Sequence, residues 1–148
     1  MEEIKSNSIQ PSLRKLLSFA TSEKNIKREY DLYIQSPVRK LYSYGFENDT
    51  LGCIGIELID KRRCEIKHIA VSPNHRGESI GSKMISFIKD KHSLSFISAE
   101  TDKEAVNFYK SYGFNIISLG EKYPGVERFQ CIFERSEEHT SELQSPLD

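Results

Sequence analysis

The heptapeptide HRGESIG, residues 75–81, lies between the apolar run HIAV with its turn SPN and a segment with helical periodicity. A chain that turns from a buried strand into a helix exposes the first backbone N–H groups of that helix, and the helix dipole adds partial positive charge there. Gly77 and Gly81 remove side chains where a ligand could approach the backbone, and Arg76 adds a fixed positive charge. The heptapeptide therefore predicts a turn that binds an anion such as a phosphate group.

Two familiar phosphate-binding patterns do not fit this turn. The phosphate loop of nucleotide hydrolases needs a lysine and a hydroxyl residue directly after its last glycine, whereas Gly81 is followed by Ser82 and then Lys83. The dinucleotide fingerprint needs a different glycine spacing. Strand–glycine–helix turns also occur for purely structural reasons, so the turn by itself does not identify its ligand.

Apolar periodicity predicts the elements on either side of the turn. Residues 11–35 have helical spacing with a break over 21–25, and Pro37 ends the second helix. A capping box of Thr101 and Glu104 and a C-terminal cap at Gly113 predict a helix over 101–113. The other predicted elements are strands at 38–47, 50–59, 64–71, 94–100, 114–120 and 128–134, and a helix at 79–91. The order predicts an α/β (α+β) domain with a mixed sheet.

Composition and cysteine content narrow the class of protein. The 148 residues are 37% hydrophobic and 29% charged, which is typical of a soluble globular chain. We find no apolar run of membrane length and no signal segment after Met1, so we expect a cytoplasmic protein without a membrane partner. Cys53, Cys64 and Cys131 lack metal-ligand spacing, and their odd number argues against a disulfide framework. We therefore expect reduced thiols in or near the core.

The C-terminal stretch RSEEHTSELQSPLD, residues 135–148, resembles a translated DNA-sequencing adapter from Arg135 to about Ser145. We expect one domain over residues 1–134 followed by this non-native tail. The tail holds one of the 21 basic and four of the 22 acidic residues, so its removal changes the net charge from −1 to +2. Neither charge is typical of a nucleic-acid-binding protein.

Two segments together resemble a known family. VSPNHRGESIG, residues 71–81, is similar to the acetyl-CoA pyrophosphate loop Arg/Gln-x-x-Gly-x-Gly/Ala of the Gcn5-related N-acetyltransferases, the GNAT family. NFYKSYGF, residues 107–114, together with Ala105, is similar to their segment A-x-x-F-Y-x-x-x-G-F. The resemblance extends over about Leu51 to Phe133, and it implies a mixed, mostly antiparallel central sheet flanked by helices.

The resemblance implies acetyl-CoA as acetyl donor and no metal. It assigns the pantetheine arm to the backbone of one strand and the pyrophosphate to the loop that follows it. The implied cofactor-binding residues are Ile69, Ala70, Val71, Arg76, Gly77, Glu78, Ser79, Ile80, Gly81 and Ser82.

Two positions depart from the family pattern. Ser79 replaces the middle glycine of the loop, which is tolerable at a helical position but would weaken cofactor binding where φ is positive. Asp102 stands where many members have asparagine, and an acid there suits a helix N-terminus. We therefore interpret Asp102 as a cap and not as a cofactor contact.

The resemblance implies direct attack of a primary amine on the thioester, without a covalent intermediate. An alkylammonium of pKa 10.4 is about 0.1% neutral near pH 7.4, so its deprotonation costs roughly 4 kcal/mol and a base is needed. Glu65 matches the catalytic glutamate of the histone-acetylating members, although it could also form only a surface ion pair. His68 and a water chain are the alternative bases. Tyr109 matches the family tyrosine and is the candidate acid for the departing sulfur, whereas Asn107 faces elsewhere.

The acceptor is expected to be a small-molecule or protein amine, bound by a monomer or homodimer. We expect its site near the N-terminal helices and first hairpin, with GEKYPGVERFQ, residues 120–130, at the mouth. Tyr30, Tyr33, Tyr42 and Tyr44 lie in that region and could equally be packing residues. Two other functions stay open: an acetyl-CoA-binding sensor without turnover, and a nucleotide- or phosphate-binding domain of another fold.

Overall fold

The computed structural model describes residues 1–46 and 49–135. Within these ranges the strands are β1 (Glu2–Glu3), β2 (Arg39–Phe46), β3 (Asp49–Asp60), β4 (Arg63–Val71), β5 (Phe96–Asp102), β6 (Asn115–Tyr123) and β7 (Val126–Glu134). The α-helices are α1 (Pro11–Leu17), α2 (Ile26–Gln35), α3 (Ile80–Lys91) and α4 (Val106–Tyr112). The strands form one sheet in the order β1-β2-β3-β4-β5-β7-β6, in which only β4 and β5 pair in parallel. The predicted mixed, mostly antiparallel sheet flanked by helices is confirmed.

Helices cover both faces of the sheet and form two apolar clusters. On one face, here called the α3 face, Met84 and Ile88 of α3 and Tyr109 of α4 pack against residues such as Ile54 and Ile66. On the opposite face, the α1 face, the buried side chains come from α1, α2, β2, β3 and β4: Leu13, Leu16, Leu17, Ile26, Tyr30, Tyr33, Leu41, Cys53 and Ala70. Successive residues of a strand point to opposite faces, which explains why neighbours such as Cys53 and Ile54 belong to different clusters.

An extra residue interrupts the alternation of β4. His68 pairs with Gly55 of β3, but the next pair joins Ile66 to Ile56, so Lys67 is left over as a β-bulge. Cys64 and Ile66 lie on the α3 face before the bulge. After it, Ile69 and Val71 take the α3 face, whereas His68 and Ala70 turn to the α1 face.

The parallel ladder between β4 and β5 is short. It runs from Arg63 and Phe96 to Ile66 and Ala99, where it stops at the bulge. Beyond that point β4 continues to Val71 and β5 to Asp102 without pairing to each other. The sheet therefore opens between two of its central strands.

Several boundaries differ from the predicted ones. The break over residues 21–25 is confirmed, and a 3₁₀ turn occupies Glu23–Asn25 within it. The predicted capping box is wrong, because β5 pairs with β7 as far as Asp102 and so keeps Thr101 extended. Asp102 Oδ1 instead accepts the backbone N–H groups of Glu104 and Ala105, at 3.0 and 3.1 Å, in the turn before α4. Gly113 ends α4 with φ +123°, as predicted.

Parts of two predictions lie outside the described residues. These are residues 47–48 of the predicted hairpin turn and residues 136–148 of the predicted tail. Arg135 is described, and its backbone N–H donates to Ser95 O at 2.9 Å. All three cysteines are buried and free of disulfides, as expected. Across residues 1–46 and 49–135 we find neither a helix able to cross a bilayer nor a group of three possible metal ligands.

Candidate active site

A cleft of about 720 Å³ occupies the opening between β4 and β5. The α3 N-terminus and the loop before it form one end, and α4 and the end of β5 form the other wall. Nine of the ten predicted cofactor-binding residues line it: Ile69, Ala70, Val71, Arg76, Gly77, Ser79, Ile80, Gly81 and Ser82. The tenth, Glu78, is exposed, lies outside the lining and has its carboxylate 3.3 Å from His75 Nδ1.

The loop before α3 presents free backbone donors to the cleft. The N–H groups of residues 79–82 have no hydrogen-bond acceptor in the part of the chain that the structure describes. The first such bond of the helix runs from Lys83 N to Ser79 O, at 3.0 Å. Free N–H groups and the helix dipole act together at such a terminus, so the predicted anion site has the required donors.

Ser79 adopts a left-handed backbone conformation, with φ +65° and ψ +20°. Of the two possibilities for this position, the positive φ therefore applies and the helical one is wrong. The left-handed region costs a residue with a side chain roughly 1–2 kcal/mol relative to glycine. The Ser79 hydroxyl makes no capping hydrogen bond to offset this cost.

Gly81 has a packing role that the sequence did not indicate. A Cβ atom at Gly81 would lie 2.8 Å from the ring of Phe108, so the glycine lets α4 approach α3 closely. The two segments that carried the family resemblance therefore touch each other. Beside them, Arg76 donates from Nε to Val71 O at 3.2 Å, and its guanidinium lies 5.5 Å from the ring centroid of Phe19.

Tyr109 lines the cleft with a buried side chain. The residue is only 4% exposed, and its ring packs against Phe108 and Phe114 with centroid distances of 5.2 Å. Its hydroxyl forms no hydrogen bond with any described residue, and burial raises the pKa of Tyr109 well above its usual range. A buried hydroxyl without a partner is costly, which suits a site that a ligand completes.

His68 lines the cleft, whereas Glu65 does not. His68 is 8% exposed, and its Nδ1 lies 2.6 Å from Tyr33 Oη in a buried hydrogen bond. Its Nε2 lies 3.9 Å from Glu29 Oε1. Burial lowers the pKa of His68, so the ring is neutral near pH 7. Glu65 lies three residues before His68 in β4, on the other side of the bulge, and its carboxylate is 3.4 Å from Lys67 Nζ.

The predicted tyrosines have different environments. The Tyr33 hydroxyl reaches His68 because Gly55 has no side chain, and a Cβ atom at Gly55 would overlap this hydroxyl. Tyr30 instead donates to Ser6 O at 2.6 Å, and Tyr42 Oη lies 2.8 Å from His92 Nε2. Of the hydrogen bonds of these three hydroxyls, the one made by Tyr33 has a cleft-lining residue as its partner.

Some cleft residues were missed by sequence reasoning. Phe19 and Ala20 follow α1, and Glu100 and Thr101 lie on β5. Arg128 of β7 also lines the cleft, and it belongs to the segment 120–130 that we expected at the mouth, although that expectation singled out no residue. Asp102 also lines the cleft although we predicted only a capping role. Arg128 comes to the cleft because it pairs with Asp102 across the β5–β7 ladder, and no local sequence signal specifies that register.

The strain at Ser79 predicts a stability difference between two substitutions. Ser79→Gly should be more stable than Ser79→Ala by about 1 kcal/mol, because alanine keeps the Cβ that opposes a positive φ. Urea unfolding without ligand measures both free energies. The same pair of changes at Ser93, which has φ +51° in an exposed turn outside the cleft lining, is the matched control and should show a similar difference. Equal stability of the two Ser79 variants would contradict the strain at this position.

Comparisons with known proteins identify the family of this chain. The family model described as an acetyltransferase (GNAT) domain matches residues 38–116. An uncharacterised N-acetyltransferase of Bacillus methanolicus is 35% identical over 78 residues, which are 51% of this chain and 65% of that relative. The matched region thus spans slightly less than two thirds of the relative's length.

Two solved structures share the fold. A GNAT family acetyltransferase from Elizabethkingia anophelis with acetyl-CoA bound superposes with a TM-score of 0.70 at 19% identity, over 90% of this chain and 96% of that one. An aminoglycoside 6'-N-acetyltransferase complexed with coenzyme A gives a TM-score of 0.72 at 15% identity, over 90% and 97%. The alternative of a nucleotide-binding domain of another fold is therefore wrong. The family match, covering more than half of the chain, shows that this protein belongs to the GNAT family of acetyltransferases.

Proposed function

We propose that the protein transfers the acetyl group of acetyl-CoA to a primary amine. One observation carries the proposal: the same cleft connects the N–H groups of residues 79–82 to His68 and to the hydroxyl of Tyr109. These N–H groups and this hydroxyl have no hydrogen-bond partner among the residues that the structure describes. The first feature suits a pyrophosphate, and the other two suit proton transfer at a reacting centre. The Elizabethkingia anophelis structure contains acetyl-CoA and the aminoglycoside enzyme contains coenzyme A, which supports the choice of donor.

The donor would bind along β4 and the loop that follows it. The N–H groups of residues 79–82, with Arg76 beside them, would hold the pyrophosphate. Past Ile66, β4 pairs with β3 but no longer with β5, so its free edge can pair with the amides of the pantetheine arm. Ile69, Ala70 and Val71 supply that edge.

The reaction requires two proton transfers. The acceptor ammonium first gives up a proton to become a neutral amine, which is the first transfer. Its nitrogen then bonds to the acetyl carbon, the carbon–sulfur bond breaks, and the second transfer takes another proton from the nitrogen side and supplies one to the departing thiolate. His68 is the stronger candidate for the first transfer, because it is neutral, lines the cleft and lies near Glu29, whose carboxylate would stabilise the imidazolium that forms. An Nδ1–H that donates to Tyr33 would leave Nε2 as the proton acceptor.

Tyr109 is our candidate for the second transfer. Its raised pKa keeps the phenol protonated at neutral pH, so it can donate a hydrogen bond or a proton to the thiolate. Its unpartnered hydroxyl and its place in the cleft support this role.

We also propose that residues 1–134 form the acetyltransferase domain and that residues 135–148 add nothing to it. The last strand ends at Glu134, and the described contacts of Arg135 are a backbone hydrogen bond to Ser95 and a long ion pair to Asp90.

A thermal melt tests the donor site. Acetyl-CoA at 100 times its Kd should stabilise the protein by about 2.7 kcal/mol, a rise in Tm of about 5–12 °C, and ATP should give a much smaller rise. The full chain and a chain ending at Glu134 should respond alike. Arg76→Ala should reduce the rise, whereas Arg14→Ala, which removes an exposed cation outside the cleft lining, should not. Absence of any rise with acetyl-CoA would remove the proposed function.

Substitution of His68 tests the base. His68→Gln should lower kcat by about 10²- to 10⁴-fold near neutral pH. The deficit should narrow as the pH rises toward the pKa of the amine, because the amine then loses its proton in solution. Release of the CoA thiol between pH 6 and pH 10 measures both effects.

Glu65→Gln is the matched control, since it changes a neighbouring titratable residue outside the cleft lining. It should leave the pH profile unchanged. The reverse result, a loss with Glu65→Gln and none with His68→Gln, would assign the base to Glu65.

Tyr109→Phe should lower kcat by about tenfold or more and leave the Kd of acetyl-CoA near that of the wild type, because the ring and its packing remain. Thiol release and the acetyl-CoA-dependent Tm measure the two quantities. A loss of affinity with unchanged kcat would make Tyr109 a binding residue. Binding of acetyl-CoA with no effect of either the His68 or the Tyr109 substitution on any acetylation rate would favour the non-catalytic sensor.

A further inference from the structure

Arg128 lies on the wall of the cleft opposite His68. Glu65 pairs with Ser98 across the parallel ladder, so Ser98 and Glu100 lie on the same side of the sheet as Glu65. The bulge at Lys67 keeps His68 on that side as well. Arg128 faces Asp102 in the β5–β7 ladder and therefore shares this side with Glu100.

One acid and two cations meet on this wall. Glu100 Oε2 accepts a hydrogen bond from Arg128 Nε at 3.1 Å and another from Lys122 Nζ at 3.3 Å. The two hydrogen bonds lower the pKa of Glu100, so it stays a carboxylate. Two cations already offset the charge of this carboxylate, which weakens its attraction for the ammonium group of an acceptor.

The guanidinium group of Arg128 is only partly used by its contact with Glu100. Its Nε is used by Glu100, but the two terminal nitrogens donate to no acceptor among residues 1–46 and 49–135. Asp102 forms no ion pair with it, because the Asp102 carboxylate is turned toward the backbone of Glu104 and Ala105. The Arg128 side chain is 30% exposed and lines the cleft. A guanidinium fork of this kind matches the two oxygens of one carboxylate.

Another cation of the cleft lining, that of Lys67 on β4, is already paired with two carboxylates. Lys67 lies 3.4 Å from Glu65 and 3.8 Å from Glu57, and His68 is neutral. Arg128 thus keeps unused donors at its two terminal nitrogens among the described residues. Arg76 also lines the cleft, with terminal nitrogens that are likewise unused in the described part of the chain, but it belongs to the loop before α3 that we assign to the pyrophosphate.

We infer that the acceptor is an amino acid or a similar amine that bears a carboxylate, and that the terminal nitrogens of Arg128 bind this carboxylate. The inference rests on the proposed acetyl transfer and specifies its substrate class. The carboxylate at Arg128 would direct the amine of the same molecule across the cleft toward His68. A polyamine or another purely cationic acceptor would bring no carboxylate to the terminal nitrogens of Arg128 and would meet the positive charges of Arg128 and Lys122, which outnumber the one carboxylate of Glu100.

Matched pairs of amines test the inference. Thiol release is measured with phenylalanine and phenethylamine, leucine and isoamylamine, and lysine and cadaverine, in which the second member lacks only the carboxylate. A fourth pair, phosphoethanolamine and ethanolamine, tests whether Arg128 binds a phosphate group instead of a carboxylate. The wild type should prefer at least one amino acid over its decarboxylated partner by about 10- to 100-fold in kcat/KM.

Arg128→Gln should abolish that preference, mainly by raising KM for the amino acid, and leave the Kd of acetyl-CoA unchanged. Lys122→Gln is the matched control, because Lys122 binds the same Glu100 but does not line the cleft. It should retain the preference. If Lys122→Gln loses the preference as fully as Arg128→Gln, disturbance of Glu100 explains the effect and the inference is wrong.

The remaining outcomes separate the inference from the proposed function. Equal or faster acetylation of the decarboxylated amines, a preference confined to phosphoethanolamine, or a preference that survives Arg128→Gln would each overturn the inference while acetyl transfer stands. A rise in Tm with acetyl-CoA but no turnover of any amine in the panel also counts against it. Absence of the rise in Tm would remove the proposed function itself.

Discussion

The β-bulge at Lys67 is the constraint on which the site depends. A regular β4 would keep pairing with β5 and would put the side chain of residue 68 on the α3 face. The extra residue ends that ladder and turns His68 toward the α1 face, so that one backbone irregularity both opens the cleft and places a titratable side chain in its wall. The edge of β4 that stays unpaired with β5 beyond the bulge is also the edge that we propose for the pantetheine arm.

Close contacts hold the groups around this opening. Gly55 leaves space for the Tyr33 hydroxyl to reach His68, and Gly81 leaves space for Phe108 between α3 and α4. In both places the absence of a Cβ allows an aromatic side chain to approach the backbone of another element. At Ser79 the situation is reversed. The backbone has the left-handed conformation that favours glycine, but the residue there carries a side chain.

The order of the elements could be predicted from the sequence because apolar periodicity is a local property of each segment. The start of α4 could not be predicted in this way. Thr101 and Glu104 satisfy the local pattern of a capping box, but Thr101 and Asp102 pair with Phe129 and Arg128 of β7 and are therefore extended. Tertiary hydrogen bonds outweighed a cap of about 1 kcal/mol.

By itself the sequence determined the glycine-containing turn before α3 and the helical segment around Tyr109, because glycines, a helix start and an aromatic pair depend on neighbouring residues. Only the tertiary structure decided the sign of φ at Ser79, the choice of His68 over Glu65 in the cleft lining, and the position of Arg128. These three depend on strand register and on the bulge. A shift of one residue in a strand reverses which side chains face the cleft, and a single sequence carries no local signal for that shift.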